Sequence, residues 1–217
     1  MAERRTAVRW ILVGVLLISS GTLLVHSLVG SDGNTSTERP TRVEVKRVIS
    51  GQYLKVSPDD RLVYAGIRTP HETESLFEEA RVRNEELVLG RELRLRFDTE
   101  SRDADGRLAA YAFVDDLFIN DVLVREGLAY VRAAEGQQRF KERLLGAQRE
   151  ARDQNRGIWE YESDSIEGNY PADPKYGNFH LSTCDEVPKI KPARLQIFES
   201  KDQAFAEGFA PCSKCRP

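Results

Sequence analysis

The residue types richest in chemistry stand near the C-terminus. His180 and Cys184 are separated by three residues in "FHLSTC", and Cys212 and Cys215 by two in "PCSKC". Two short pairs, each closed by a tight turn, with a folding segment between them, have the spacing of a zinc site. Three thiolates and one imidazole suit tetrahedral Zn²⁺. Two other readings use the same residues: a Cys212–Cys215 disulfide, stable in an oxidising compartment, or free thiols. All 3 cysteines of the chain fall in this stretch, and an odd C-terminal set is not a disulfide framework. The segment is too small to fold on a core of its own, so a metal staple makes physical sense.

The remaining sequence must supply the body that carries this segment. The chain has 217 residues, 40% hydrophobic and 31% charged, enough for one globular domain and a small extra module. Its formal net charge of -3 gives no overall basic field, so contact with nucleic acid requires a local patch. The run "KIKPAR" (189–194) is one such patch, though a basic run is more often a solvated face.

Trp10 to Val29 forms 20 residues without a formal charge. At about 1.5 Å per residue it spans roughly 30 Å, the thickness of a bilayer core. The rival reading is a cleaved signal peptide. The run is longer than a usual signal core and no small-x-small cleavage site follows, which favours an uncleaved transmembrane anchor. Arg4, Arg5 and Arg9 precede it, placing the N-terminus in the cytoplasm and the main domains outside.

Residues 30–40 are polar and read as a tether. From Thr41 the pattern turns to short alternating strands: "RVEVKRVIS", "QYLKV" and "RLVYAGI", with Gly51 as a turn. His71 to Leu89 changes to a helical period, with Phe77, Ala80 and Leu87 on one face and Gly90 as the stop. "LRLRF" and "LAAYAFV" are strands, "NDVLVREG" is a short helix with Asn120 as its N-cap, and "AYVR" is a brief strand. Phe140, Leu144, Ala147 and Ala151 mark one face of a last helix. The order predicts an α+β chain: a five-stranded OB-type β-barrel with packed helices. An N-terminal transmembrane helix precedes it and a small C-terminal zinc-binding module follows.

Six successive blocks, "VKRVISGQYLKV", "YAGIRTP", "ELVLGRELRLRFD", "DGRLAAYAFV", "INDVLVREGLAYV" and "AQREARDQNRGIW", resemble the staphylococcal (thermonuclease-like) nuclease family in content and order. That resemblance implies a metal-dependent phosphodiesterase whose motifs read D-G-D-T and R-x-x-x-x-D-T-P-E. In that family acidic oxygens grip Ca²⁺, a glutamate activates water and two arginines hold the phosphate. Carried onto this chain, the two Asp of the first motif fall on Ser50 and Gln52, and its Thr on Tyr53. The first Arg falls on Val63, the metal-binding Asp on Arg68 and the Glu on His71. Thr69, Pro70 and the second arginine, Arg107, persist. A guanidinium at a metal-ligand position repels a cation, so Ca²⁺ is not expected. Were the chain active, Arg107 and His71 would carry the chemistry, His71 as a base titrating near neutrality. Asp59, Asp60, Asp103 and Asp105 are the acids in reach as substitute ligands, although acids in turns are usually only solvated. Arg68 and Arg107 are the barrel's candidates for nucleic-acid contact; Arg107 also reads as a turn residue paired with Asp103.

The segment from Phe198 to Cys212, "FESKDQAFAEGFAPC", resembles the zinc-binding domain of the Ada family of DNA-alkylation response proteins. That resemblance implies one Zn²⁺ on His180, Cys184, Cys212 and Cys215 and a module that touches DNA. His180 stands where the Ada repair proteins carry their methyl-accepting thiolate, so the module is expected to be structural.

The expected organisation is a cytoplasmic stretch 1–9, a membrane span 10–29, a linker 30–40, a nuclease-like domain 41–161, a linker 162–175 and an Ada-like zinc module 176–217. The first functional reading is a membrane-anchored, extracytoplasmic, catalytically degenerate barrel binding DNA, RNA or a protein. The second is an active nuclease with a rebuilt site. The third is a scaffold for a membrane protein partner.

Overall fold

The computed structural model describes residues 39–162 and 167–217. The expected membrane span, 10–29, lies outside them. No helix among the described residues is long and apolar enough to cross a membrane.

The strands β1 (Arg42–Val48), β2 (Tyr53–Val56), β3 (Asp60–Tyr64), β5 (Glu92–Arg96) and β6 (Leu108–Val114) form the expected barrel. The order is β3-β2-β1-β5-β6, and β3 pairs in parallel with β6 through Leu62↔Leu108, Val63↔Ala109 and Tyr64↔Ala110, which closes the sheet. A closed sheet leaves few open edges. The inward residues are aliphatic: Val43, Val45, Leu54, Val56, Leu62, Leu93 and Leu95 are all buried, as the alternation along each strand requires.

Helices α1 (Phe77–Val88), α2 (Ile119–Arg125) and α3 (Lys141–Asp153) pack around the barrel, with β4 (Ile67–Arg68) paired to β8 (Tyr130–Val131), and β7 (Leu117–Phe118) at the edge of β6. Leu144, Ala147 and Ala151 form the buried stripe predicted for α3. Two local expectations change. Asn120 is not the cap of α2: it sits inside the first turn, fully buried. Its Oδ1 accepts the Ala112 amide at 3.0 Å and its Nδ2 donates to the Ala65 carbonyl at 2.8 Å. Backbone groups at the barrel end need partners, and this demand outweighs capping. Residues 71–76 are turns rather than the start of α1, and Phe77 is only half-buried. Asn84 takes the inner face instead, accepting from the Tyr64 hydroxyl at 2.8 Å and donating to the Ser50 carbonyl at 3.0 Å.

After α4 (Ile158–Tyr161) comes β9 (Glu167–Asp173), inside the stretch expected to be a linker. "EGNYPAD" has no strand-like alternation. It becomes a strand because β10 (Asn178–Phe179) and β11 (Gln196–Ser200) pair on its two sides. Helix α5 (Lys201–Ala206) and β12 (Ala210–Pro211) complete this second sheet, whose order is β11-β9-β10-β12. Ser200 caps α5, accepting the Gln203 amide on its Oγ at 3.2 Å.

The second sheet does not stand apart. Its core joins Tyr170, Phe179, Phe198, Phe205 and Phe209 to Tyr130, Ala151, Ile158 and Trp159 of the barrel's own helices and strands. Phe205 stacks on Tyr130 at 5.8 Å and meets Trp159 edge-on at 5.0 Å. Gln148 links the two bodies, accepting the Val131 amide at 2.7 Å and donating to the Phe205 carbonyl at 3.0 Å. Residues 39–217 thus belong to one compact unit. Where α4 begins, Gly157 (φ 59°) lies against Gly127 (φ 72°), and a Cβ on either would fall 2.0–2.3 Å from the other segment's carbonyl oxygen. Only glycine fits both.

Candidate functional site

Two groups of expected residues can be placed. The first sits on the barrel. In the loop between β1 and β2, Ser50 Oγ accepts the amides of Gln52 (3.2 Å) and Tyr53 (3.1 Å). Gln52 is buried, and its Oε1 accepts the Thr69 amide at 2.8 Å. These two neutral side chains satisfy backbone donors instead of presenting charged oxygens outward. At the end of β4, Arg68 is 5% exposed and donates through Nη2 to both oxygens of Glu74, at 2.5 and 2.6 Å. Glu74 also accepts the His71 amide at 2.5 Å, while the His71 side chain is exposed. Val63 is buried in β3.

Arg107 is held in its turn. Its Nε donates to Asp103 at 2.7 Å, its Nη2 lies 2.6 Å from Asp105, and its guanidinium covers the Tyr53 ring at 4.8 Å. The other acids in reach are similarly engaged: Asp59 with Lys55 at 2.8 Å and Asp60 with Arg102 at 2.7 Å. The Arg102 guanidinium holds the Asp60 carboxyl below the usual carboxylate range, against the opposing effect of burial. Asp59, Asp60, Asp103 and Asp105 therefore each face a basic side chain, and among the described residues they belong to no group of three or more side chains that could hold a metal.

The second group is brought together fully. Parallel pairing of β10 with β12, through Asn178↔Ala210 and Phe179↔Pro211, places the next residue of each strand, His180 and Cys212, side by side. Turns return Cys184 and Cys215 to the same point. One ligand atom from each of His180, Cys184, Cys212 and Cys215 lies within 4.8 Å of all the others. This is the one group of three or more such side chains that could hold a metal among the described residues. Zn–S bonds of about 2.3 Å place sulfurs of a tetrahedral site about 3.8 Å apart, so a modest contraction suffices. None of the three cysteines is paired in a disulfide, Cys212 and Cys215 included.

The donor chemistry fits a cation. Cys184, Cys212 and His180 are buried, and His180 Nδ1 is a buried nitrogen without a hydrogen-bond partner among the described residues. The Leu181 amide donates to Cys215 Sγ at 3.4 Å. Burial opposes ionisation of Cys212, but His180 and the amides of Cys215 and Lys214 outweigh it and bring the thiol down to about 6. Burial first, and then Cys184 and Cys212, push Cys215 up to about 12. Cys212 and Cys215 are thus pushed in opposite directions, and a bound dication would favour the thiolate form of its sulfur ligands.

One residue escaped the sequence reading. Arg132, just after β8, shares a cleft with Arg68 and His180, so residues of the barrel and of the C-terminal segment line one space. An arginine following a strand looks like any surface arginine, and no local spacing singles it out.

Residues 61–161 match the family model described as staphylococcal nuclease homologue. The thermonuclease of Staphylococcus intermedius is 28% identical over 164 residues, covering 69% of this chain and 98% of that protein. Endonuclease YncB of Bacillus subtilis (strain 168) is 30% identical over 141 residues, 60% of this chain and 67% of that protein. The SPbeta prophage-derived endonuclease YokF of the same organism is 32% identical over 128 residues, 54% of this chain and 43% of that protein. With the closed barrel in place and relatives of this kind matched along it, the chain belongs to the staphylococcal nuclease homologue family.

Proposed function

We propose that this chain is a membrane-anchored, extracytoplasmic binding protein. Its nuclease-family barrel holds nucleic acid without hydrolysing it, and one structural Zn²⁺ holds its C-terminal module. The observation that carries this reading is the state of three positions where the family carries carboxylates, two of them metal ligands. Ser50 and Gln52 are bonded to neighbouring amides, and Arg68 is paired with Glu74. A Ca²⁺ ion placed there would meet a guanidinium instead of a carboxylate. The zinc reading is supported by the convergence of His180, Cys184, Cys212 and Cys215 and by the Ada-like pattern that ends at Cys212. Zinc on those four residues would neutralise the competing thiols and close the ends of β10 and β12 together. The anchor reading is supported by the uncharged run 10–29 behind three arginines.

A second reading, an active metal-dependent nuclease with a rearranged site, is favoured by the names of the relatives, a thermonuclease and two endonucleases. One experiment separates the two. The full chain in detergent micelles, with millimolar Ca²⁺, is expected to bind single-stranded DNA and leave it intact. Turnover that disappears in Arg107→Ala or His71→Ala, with the fold retained, would establish the second reading and defeat the first.

A further inference from the structure

A cleft of about 280 Å³ lies between the barrel site and the cysteine cluster. Arg68 and Arg132 line it from the barrel segment, and His180, Lys189 and Lys214 from the C-terminal segment. Most charges around it are already paired. Arg68 uses one nitrogen on Glu74, Asp173 of the lining takes both arms of Arg194 at 2.9 and 2.8 Å, and Lys189 and Lys214 share Glu186.

Arg132 differs. Its Nε is buried and has no hydrogen-bond partner among the described residues, and the same holds for Nη1 of Arg68. The charged groups that act on Arg132 are the guanidiniums of Arg68 and Arg107, with the Asp103 carboxylate on the opposite side of the balance. Asp103 is already taken by Arg107. Burial, and then the neighbouring arginines, push the Arg132 pKa down against the opposing effect of Tyr53. Gly177 lies against this side chain, so close that a Cβ there would stand 3.1 Å from the Arg132 Cγ.

Buried donors in folded proteins are almost always paired. A water would satisfy the two orphan nitrogens but leave the charge. An anion would satisfy both. Guanidinium groups match the oxygens of phosphate in a planar, bidentate way. The volume is below the roughly 300–1,000 Å³ of sites for drug-sized ligands, which suits a single phosphate group better than a stretch of duplex.

We propose that this cleft is a metal-independent anion site, in which Arg68 and Arg132 together grip one phosphate-class group, either the terminal phosphate of a nucleic-acid strand or the free anion. The inference rests on the reading that the barrel has lost its cation-binding carboxylates. In that arrangement a protein carboxylate no longer reaches phosphate through a bound metal; the guanidinium at position 68 reaches it directly. A competing role for Arg132 is to offset the net negative charge of a Zn²⁺ bound to three thiolates, and it gives a different result below.

The test uses the full chain in detergent micelles with no added Ca²⁺ or Mg²⁺. It is titrated calorimetrically with inorganic phosphate, and separately with a short single strand carrying or lacking a 5′-phosphate. Phosphate is expected to bind and to raise the melting temperature. Arg132→Gln should weaken binding at least tenfold with an unchanged circular dichroism spectrum, and Arg132→Lys should retain part of the affinity. Arg68→Lys gives a second variant in which the pair to Glu74 survives. Preference for the phosphorylated strand assigns the strand end as ligand; phosphate binding without that preference assigns the free anion, and either supports the site. No phosphate binding, binding that requires Ca²⁺, or wild-type affinity in Arg132→Gln overturns it. So does a loss confined to zinc affinity, which would make Arg132 a counter-charge only. Cleavage of DNA with Ca²⁺ would defeat the degenerate reading by a separate measurement, so the two failures are distinguishable.

Discussion

The barrel closes on itself where β3 meets β6, and its interior is a continuous set of aliphatic side chains. The C-terminal sheet has two strands of only two residues, β10 and β12, and its apolar side chains rest on Tyr130, Ala151, Ile158 and Trp159, which the preceding fold supplies. The contrast shows two ways of making a small sheet stable. One encloses its own core. The other combines a platform built by its neighbour with a polar cluster that a metal can tie. Domain size sets this choice, since a segment of this length buries too little apolar surface alone.

The largest expected effect breaks the metal half of that contrast. Zinc-finger peptides gain on the order of 10 kcal/mol from metal. Chelation, or Cys212→Ser, is expected to open residues 167–217 to amide exchange while the barrel amides stay protected. In a Trp10→Phe background, which leaves Trp159 as the single indole, the fluorescence should move to the red as Phe205 leaves that ring. Barrel and sheet losing protection together would show that they are one cooperative unit.

The next effect breaks the platform half. Phe205 is buried, and Phe205→Ala should cost about 3–5 kcal/mol. That cost should fall on the C-terminal sheet, while Leu62→Ala, costing about 2–5 kcal/mol, should destabilise barrel and sheet alike. Denaturant melts followed by Trp159 fluorescence and by exchange at β6 separate the two patterns.

A smaller effect sharpens the polar contribution. Asp173 is buried and takes both arms of Arg194. Asp173→Asn should cost about 2 kcal/mol, in the range of charged hydrogen bonds. The Arg194 hydrogen bond holds the folded carboxyl below its ordinary value, against the opposing effect of burial. The stabilisation is therefore fully present above about pH 4 and is lost as pH falls through the lower folded value. Acid melts of wild type and Asp173→Asn at constant metal occupancy should converge in that range.

The smallest effect concerns Arg107. Its partners are surface turn acids, and such pairs contribute under about 1 kcal/mol. Arg107→Ala should move the denaturant midpoint little. A large loss would give Arg107 a structural role beyond its turn.

The barrel was legible where periodicity is set by burial. Alternation in "LRLRF" and the stripe through Leu144, Ala147 and Ala151 appear as expected. The residues that join elements were not. Asn120, Asn84 and Gln148 are buried amides serving distant backbone or side-chain groups, and nothing near them in sequence marks that task. Strand β9 reads as a loop because its pairing partners lie on both sides of it and its own letters include Gly, Asn and Pro. The convergence of the cysteine cluster was legible because its members stand in two closely spaced pairs, whereas Arg132 gains meaning only from the cleft around it.

The shared aromatic platform also sets an order of events during synthesis. Tyr130 and Trp159 are complete well before Phe205 exists, and His180 precedes Cys212 by 32 residues. A growing chain that folds from its N-terminal side therefore carries a finished barrel with an uncovered apolar face until Phe205 and the residues around it arrive. Exposed faces of this kind recruit chaperones or other chains. A chain shortened between Glu162 and Phe205 keeps the barrel and its helices and loses the cover, so such truncated products are expected to aggregate where the full chain does not.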